Sequence, residues 1–301
     1  MTLLLRAKLC LILALGATVA QAEPTRTVAS YPPGTFLENV AEGPDGALLI
    51  TSYFDRTLLS WDGGGAPTPL VALDLHPVGI LARADDIVLS AHGTSFAEGP
   101  AFTQTNAFLI LSPDGRVIHT IPAPQALFLN GIVEVAPGTI LAADSLAGMI
   151  WQLDLASGTI TEWLADPLFA TDPAETGQTP GANGLKIRDG WLYVSNSSRQ
   201  ALYRVALDGA GPKGAPQLFA ATGSIDDFAF LADGTIAAAS HGATLIGIDA
   251  EGTVSTLLAA GCDGCTSVIS YGPSEELVVL TTGNLLEGGT DAARILVVPT
   301  K

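Results

Sequence analysis

Short apolar runs separated by turn-forming pairs cover most of the chain. Each run holds about five residues rich in Val, Ile, Leu and Thr, and Asp-Gly, Pro-Gly or Gly-Gly turns lie between the runs. The apolar period of an amphipathic helix is almost absent. The clearest runs are residues 47–51, 87–90, 139–143, 191–195, 235–239 and 276–281. We therefore predict an all-β fold of hairpin-linked strands.

The runs belong to a longer repeat. A short segment lies seven or eight residues before the turn that opens each run, and its first residue serves as an anchor for the repeat. The anchors are Glu38, Val78, Asn130, Asn183, Asp226 and Thr266. Their spacings are 40, 52, 53, 43 and 40 residues. A mean unit of about 46 residues is typical of a four-stranded propeller blade, so the repeat predicts six blades.

The two ends of the chain complement each other. The last unit supplies three strands, of which the third covers residues 293–299, and the missing outer strand is available at residues 26–30. Pairing them would close the ring and remove its open edge. The longer spacings place insertion loops at 94–105 and 167–181. We predict one domain over residues 23–301, a six-bladed β-propeller of four-stranded blades closed by an N-terminal strand.

The first 22 residues have the pattern of a secretory signal peptide. Arg6 and Lys8 precede an apolar run over residues 9–18, and Ala20-Gln21-Ala22 is an A-x-A cleavage site. The run is shorter than the roughly 20 residues that span a bilayer. We expect cleavage near Ala22 and export to the periplasm or the medium.

The net charge of the chain limits the classes of molecule that it is expected to bind. The 301 residues include 30 acidic and 13 basic side chains, a net charge of −17. This balance argues against binding nucleic acid or an anionic lipid surface. We expect a monomer that acts on a small molecule, without membrane insertion.

Two cysteines remain after leader removal, Cys262 and Cys265. A C-x-x-C pair can be a redox motif, half of a zinc site or a local disulfide. No further ligands lie nearby, since the nearest histidine, His241, is isolated, and no βαβ pattern surrounds the pair. In an oxidising compartment we predict a structural disulfide.

The anchors predict a metal site. The innermost strand of each blade begins beside the central channel, so residues at one phase form a ring around its mouth. Four anchors are oxygen donors of the Asp, Glu or Asn type, namely Glu38, Asn130, Asn183 and Asp226. One such residue alone would be read as a turn former, but four at one phase indicate ligands. Oxygen donors without nitrogen or sulfur select Ca²⁺ or Mg²⁺, and a wide cage favours Ca²⁺. We predict one calcium ion.

Several blade starts resemble one protein family. The segments FLENVA (36–41), LNGI (129–132), PGANGL (180–185) and IDDFAF (225–230) are similar to those of the senescence-marker-protein, gluconolactonase and luciferin-regenerating-enzyme family, over essentially the whole mature chain. The resemblance implies a six-bladed propeller that hydrolyses lactones or esters at a channel calcium. In the related diisopropyl fluorophosphatases the ligands are Glu, Asn, Asn and Asp in chain order, which the four anchors match.

The chain also departs from its relatives. Val78 stands where regucalcin-like lactonases have a polar residue. Asn39 and Gly131 stand where paraoxonases hold a second calcium, so we do not expect that ion.

The same resemblance gives roles to other polar residues. Paraoxonases place active-site histidines where His92 and His241 follow the second strands of their blades. Residues that end the equivalent strands are expected to line the same pocket: Tyr53, Asp144, Asn196 and Thr282. His76 and His119 are expected on the surface.

Two functions compete. The first is an exported calcium-dependent hydrolase of a lactone or carboxylic ester, with Asp226 or Glu38 as general base and His92 or His241 assisting. The second is a propeller that binds a ligand or partner through the same metal site without turnover. Strictosidine-synthase-like proteins resemble the chain less, because they lack the full ring of oxygen donors.

Overall fold

The computed structural model describes residues 24–174 and 179–300, and this part of the chain folds into a ring of six four-stranded antiparallel sheets. The strands are, in chain order, β1 (Arg26–Tyr31), β2 (Leu37–Glu42), β3 (Leu48–Ser52), β4 (Thr57–Trp61), β5 (Thr68–Ala72), β6 (His76–Ala82), β7 (Ile87–His92), β8 (Asn106–Leu111), β9 (Val117–Pro122), β10 (Leu129–Ala136), β11 (Thr139–Asp144), β12 (Met149–Asp154), β13 (Thr159–Ala165), β14 (Ala182–Arg188), β15 (Trp191–Asn196), β16 (Ala201–Asp208), β17 (Gly211–Ala221), β18 (Ile225–Phe230), β19 (Ile236–Ser240), β20 (Leu245–Ile248), β21 (Val254–Leu258), β22 (Cys265–Tyr271), β23 (Glu276–Thr281) and β24 (Ala293–Val298).

The six sheets are the predicted blades. Four consecutive strands form each of the first five, from β2–β5 to β18–β21. Every predicted run is the second strand of its blade and agrees with the structure to within two residues at either end. All six anchors lie on the first, innermost strands, β2, β6, β10, β14, β18 and β22, which contact one another around the ring. The six-bladed prediction is confirmed.

The last blade joins both ends of the chain. Strands β22, β23 and β24 are completed by β1, which pairs antiparallel with β24. Arg26 lies opposite Val297, and Tyr31 lies opposite Ala293. The predicted closure by an N-terminal strand is therefore confirmed. The predicted leader, residues 1–22, lies outside the described residues.

The core lies between the blades. Each pair of neighbouring blades in the described chain shares an apolar cluster, such as Leu48 and Ile50 of the first blade with Val278 and Leu280 of the last. Small and branched side chains suit this position because they let the sheets pack face to face.

The first of the two predicted insertion loops contains short helical turns. Residues 94–105 were expected to be a plain loop, but they form two short 3₁₀ helices, Phe96–Glu98 and Pro100–Gln104. Ser95 and Glu98 form a capping box that explains the first turn. No helix in residues 24–174 and 179–300 is long and apolar enough to cross a bilayer.

Candidate active site

A cavity of about 610 Å³ lies where the inner strands meet. Its lining includes all four predicted calcium ligands, Glu38, Asn130, Asn183 and Asp226. Tyr53 and His241 line it as well, as predicted. The structure therefore brings together predicted site residues that lie up to 203 positions apart in the sequence, from Glu38 to His241.

A β-bulge places each anchor residue. In every blade, the pairing between the first two strands gains one extra residue at the anchor, as between Leu129 and Ile132 of β10. Such a bulge releases a residue from the regular ladder and redirects its side chain. Asn130 and its five counterparts fall inside these bulges, and all but Thr266 line the same cavity.

Two buried serines orient the amides. The Nδ2 group of Asn130 donates to Ser145 Oγ at 3.2 Å, and Nδ2 of Asn183 donates to Ser197 Oγ at 3.0 Å. Each serine donates its own hydrogen to a main-chain carbonyl of the next blade. With the amide nitrogens held this way, the Oδ1 atoms of both ligands are left to accept from, or coordinate, a group in the cavity.

The two carboxylates of the ring lack a compensating charge. Burial, and then the charge of Asp227, raises the pKa of Glu38 to about 8. Burial, and then Glu38 and Asp227, raises the pKa of Asp226 well above its ordinary value. Asp227, by contrast, forms a salt bridge with Lys186, whose Nζ atom lies 2.7 Å from Asp227 Oδ1. Within the described chain, Glu38 Oε2 is buried without a hydrogen-bond partner.

This donor set fits a calcium ion. Two uncompensated carboxylates match the charge of a divalent cation, and two oriented amide oxygens add neutral donors. Buried charges without a partner are otherwise costly, which a bound cation would relieve. The described residues contain no group of three or more His, Cys, Asp or Glu side chains arranged to hold a metal. A calcium ion here would therefore need the two amide oxygens as well as the two carboxylates.

His241 is the histidine that reaches the ring. Its Nδ1 atom lies 3.6 Å from Asp226 Oδ2, slightly beyond hydrogen-bond distance, and its Nε2 atom is buried without a partner in the described chain. Burial lowers the pKa of His241 to about 4, so its imidazole is neutral near pH 7. A neutral imidazole beside a carboxylate can accept, pass on or orient a proton.

Solved structures share this architecture. Luciferin-regenerating enzyme aligns with a TM-score of 0.69 at 15% identity, over 92% of this chain and 95% of the other. A gluconolactonase from Xanthomonas campestris gives 0.64 at 14% identity, over 93% and 99%. A calcium-binding regucalcin from Agrobacterium tumefaciens gives 0.63 at 16% identity, over 92% and 95%. The chain has the gluconolactonase-type propeller fold. The family resemblance of the blade starts is confirmed at the level of fold.

Sequence comparison adds a different relative. A protein of Phoma sp named as a hetero-Diels-Alderase is 26% identical over 313 aligned positions, which cover 87% of each protein. No family model matches the chain.

Within this gluconolactonase-type propeller, His92 is not brought to the cavity. Its Nδ1 atom lies 3.0 Å from the Tyr53 hydroxyl, and its Nε2 atom lies 3.0 Å from the Leu129 carbonyl oxygen. The carbonyl can only accept, so Nε2 donates and Nδ1 accepts from Tyr53. Burial lowers the pKa of His92 to about 4. His76, which we expected on the surface, is buried, and its Nδ1 atom lies 2.9 Å from the Tyr53 carbonyl oxygen.

The other strand-end residues mostly serve the main chain. Asp144 accepts from the Leu127 and Phe128 amides and from the Trp151 indole. Asn196 donates to two carbonyls of the second insertion, those of Leu168 and Ala170. Neither lines the cavity, because buried main-chain groups of the neighbouring loops take up their polar atoms. Thr282 lines a small hollow beside His241 and donates to the Gly264 carbonyl.

Sequence reasoning missed a set of hydroxyls on the second strands. Thr51, Ser90 and Ser195 lie opposite the bulges, and each accepts the amide hydrogen of the residue after the anchor. Each also donates to the carbonyl of the next blade's anchor. They share one phase of the repeat, which is the signal that could have found them.

The cysteine pair lies in a buried turn. Cys262 and Cys265 are fully buried, with Cα atoms 5.4 Å apart and their sulfur atoms in direct contact. This placement is compatible with the disulfide, which stays a prediction.

Proposed function

We propose that this chain is an exported, calcium-dependent hydrolase that opens lactones or related carboxylic esters. The observation that carries the proposal is the pair of buried, uncompensated carboxylates, Glu38 and Asp226, beside two oriented amides in one cavity. The names of the structural neighbours support the reaction class and the ion. Export is inferred from the leader pattern alone.

Glu38, Asn130, Asn183 and Asp226 would hold the calcium, which would act as a Lewis acid for the substrate carbonyl and its oxyanion. Asp226 is the proposed proton acceptor for water, since its Oδ2 atom faces His241. His241, neutral at pH 7, orients the carboxyl group of Asp226 for this transfer. Tyr53 and the buried His92 fix the opposite wall of the cavity.

The reaction adds one water molecule. The water oxygen bonds to the carbonyl carbon, and the acyl C–O bond of the lactone breaks. Asp226 receives one proton from the water and passes it to the leaving oxygen, which becomes the hydroxyl of the product. The second proton stays on the new carboxylic acid, which ionises at neutral pH.

The test is hydrolysis of γ-butyrolactone, δ-valerolactone and phenyl acetate, with calcium and with a chelator. Asp226→Asn should reduce turnover about 10²–10⁴-fold, whereas Asp154→Asn, in an outer turn, serves as the matched control. Isothermal calorimetry measures calcium binding separately. Absence of calcium binding near millimolar concentrations would refute the metal site.

A second candidate is ligand binding without hydrolysis, including cycloaddition chemistry of the kind named for the Phoma sp relative. The fold alone does not decide between these chemistries. Calcium binding without turnover of any of the three substrates would favour this second function.

A further inference from the structure

The cavity has two chemically different walls. From the first three blades the lining takes a group of apolar, mostly aromatic side chains, Phe36, Tyr53, Val78, Phe96 and Phe128, together with the two proposed calcium ligands Glu38 and Asn130. From the later blades it takes mainly polar side chains, including Asn183, Ser197, Ser224, Asp226 and His241, beside the apolar Pro180 and Leu286. A ligand whose carbonyl meets the calcium ligands therefore has the rest of its body against the aromatic wall.

The aromatic wall is preorganised. The Phe96 ring stacks on Tyr53 at 4.7 Å between centroids, and it meets Phe36 edge-on at 5.8 Å. The Phe96 amide also donates to the Tyr53 hydroxyl at 3.0 Å. Because Tyr53 is in turn held by the buried His92, ring packing and hydrogen bonds together fix the positions of the rings in the wall. Preorganised apolar surface lowers the entropic cost of binding a rigid ring.

Charge limits the ligand further. The described part of the cavity wall has no Lys or Arg, but it includes the acidic Glu38, Asp226 and Glu287. An anionic substituent would find no partner away from the calcium site. The hydroxyls of a sugar lactone that face the aromatic wall would lose their hydrogen bonds to water without replacement. An aryl group in the same place would gain edge-to-face contacts.

Resting on the proposed function, we propose that the substrate is a neutral lactone or ester with an aryl substituent close to the reacting carbonyl, and not a polyhydroxylated sugar lactone. The aryl ring packs on Phe36, Phe96 and Phe128, while the carbonyl faces Asp226. Phe96 is the specificity-determining residue, because it contacts the rest of the wall and belongs to the first insertion.

The test compares kcat/KM for three lactones in calcium: γ-phenyl-γ-butyrolactone, γ-butyrolactone and D-glucono-δ-lactone. We expect the phenyl lactone to be preferred at least about tenfold over either of the others. Phe96→Ala should lower this preference about tenfold, chiefly through KM. Phe219→Ala, which removes another half-buried ring that lies outside the cavity, should leave the preference unchanged.

A binding measurement separates this inference from the proposed function. Calorimetry with 5-phenyl-2-pyrrolidinone, a lactam that is not readily cleaved, reports on the cavity alone. Binding of the lactam with no turnover of any lactone would refute the hydrolase and support the aryl site. Preference for D-glucono-δ-lactone would overturn the aryl inference and leave the hydrolase standing. The aryl inference would also be overturned if the lactam did not bind and the phenyl lactone were not preferred.

Discussion

Replacing Gly131 by alanine should disturb both the stability of the ring and its affinity for calcium. Gly131 follows Asn130 in β10 and has an ordinary, non-positive φ, so backbone strain is not the issue. A Cβ atom there would lie 2.6 Å from the Asn183 carbonyl oxygen and 2.9 Å from the Gly184 Cα atom. Ordinary contacts of this kind are about 3.5–4 Å, so neighbouring inner strands would have to separate by about 1 Å.

The expected cost follows from that displacement. Overpacking against backbone atoms costs about 1–3 kcal/mol. In a chain of this size, about 2 kcal/mol lowers the melting temperature by roughly 4–8 °C. Because the displaced residue, Asn183, is a proposed ligand, we also expect calcium affinity to fall at least about tenfold, equivalent to about 1.4 kcal/mol.

The assay is thermal unfolding of Gly131→Ala with and without calcium, together with calorimetric titration of the ion. Gly211→Ala is the matched control, because a Cβ atom at Gly211 would meet its nearest neighbour at 3.6 Å and φ is again not positive. A difference of about 1 °C or less in melting temperature corresponds to a negligible change in the free energy of unfolding. If Gly131→Ala melted that close to the control, the close contact of the inner strands at Gly131 would be refuted.

Three further outcomes are expected. Ser195→Ala removes the acceptor of the Gly184 amide and the donor to the Asp226 carbonyl, so the free energy of unfolding should fall by about 2 kcal/mol. Thermal unfolding should show almost no loss for the exposed Ser30→Ala, and equal losses would contradict the bridging role. Burial lowers the pKa of His92 from 6.5 to about 4, so the unfolded chain binds a proton that the folded chain does not, and stability should fall by up to about 3 kcal/mol as pH drops through this window. Urea unfolding of His92→Gln should show a correspondingly flatter pH dependence, and an unchanged slope would be evidence against this assignment. Mass spectrometry of the mature exported protein without reductant should find Cys262 and Cys265 linked, two hydrogens lighter, and two freely alkylated thiols would disprove the pairing.

The sequence was informative where the repeat itself carries the information. Turn pairs and apolar runs recur once per blade, so the blade number, the second strands and the closing strand followed from spacing alone. The ring of Glu38, Asn130, Asn183 and Asp226 followed for the same reason. An inner strand must begin at the channel in every blade, whatever its neighbours are.

The pocket walls could not be predicted in this way. Tyr53, Asp144 and Asn196 end equivalent strands, yet only Tyr53 lines the cavity. The side chains of Asp144 and Asn196 turn towards main-chain groups of adjoining loops that need partners. The sequence also offered no reason for Gly131, which lies in a strand and is small because another backbone passes close by. These are tertiary demands, and no local pattern encodes them.

The pairing of β1 with β24 has a mechanical consequence. Arg26 lies opposite Val297, so the N-terminal end of β1 and the C-terminal end of β24 lie side by side at the same end of one antiparallel strand pair. A force that pulled these two ends apart would load the cross-strand hydrogen bonds one after another, as in opening a zipper, and not all together. The ring would therefore open at this seam under tension applied through these two strand ends.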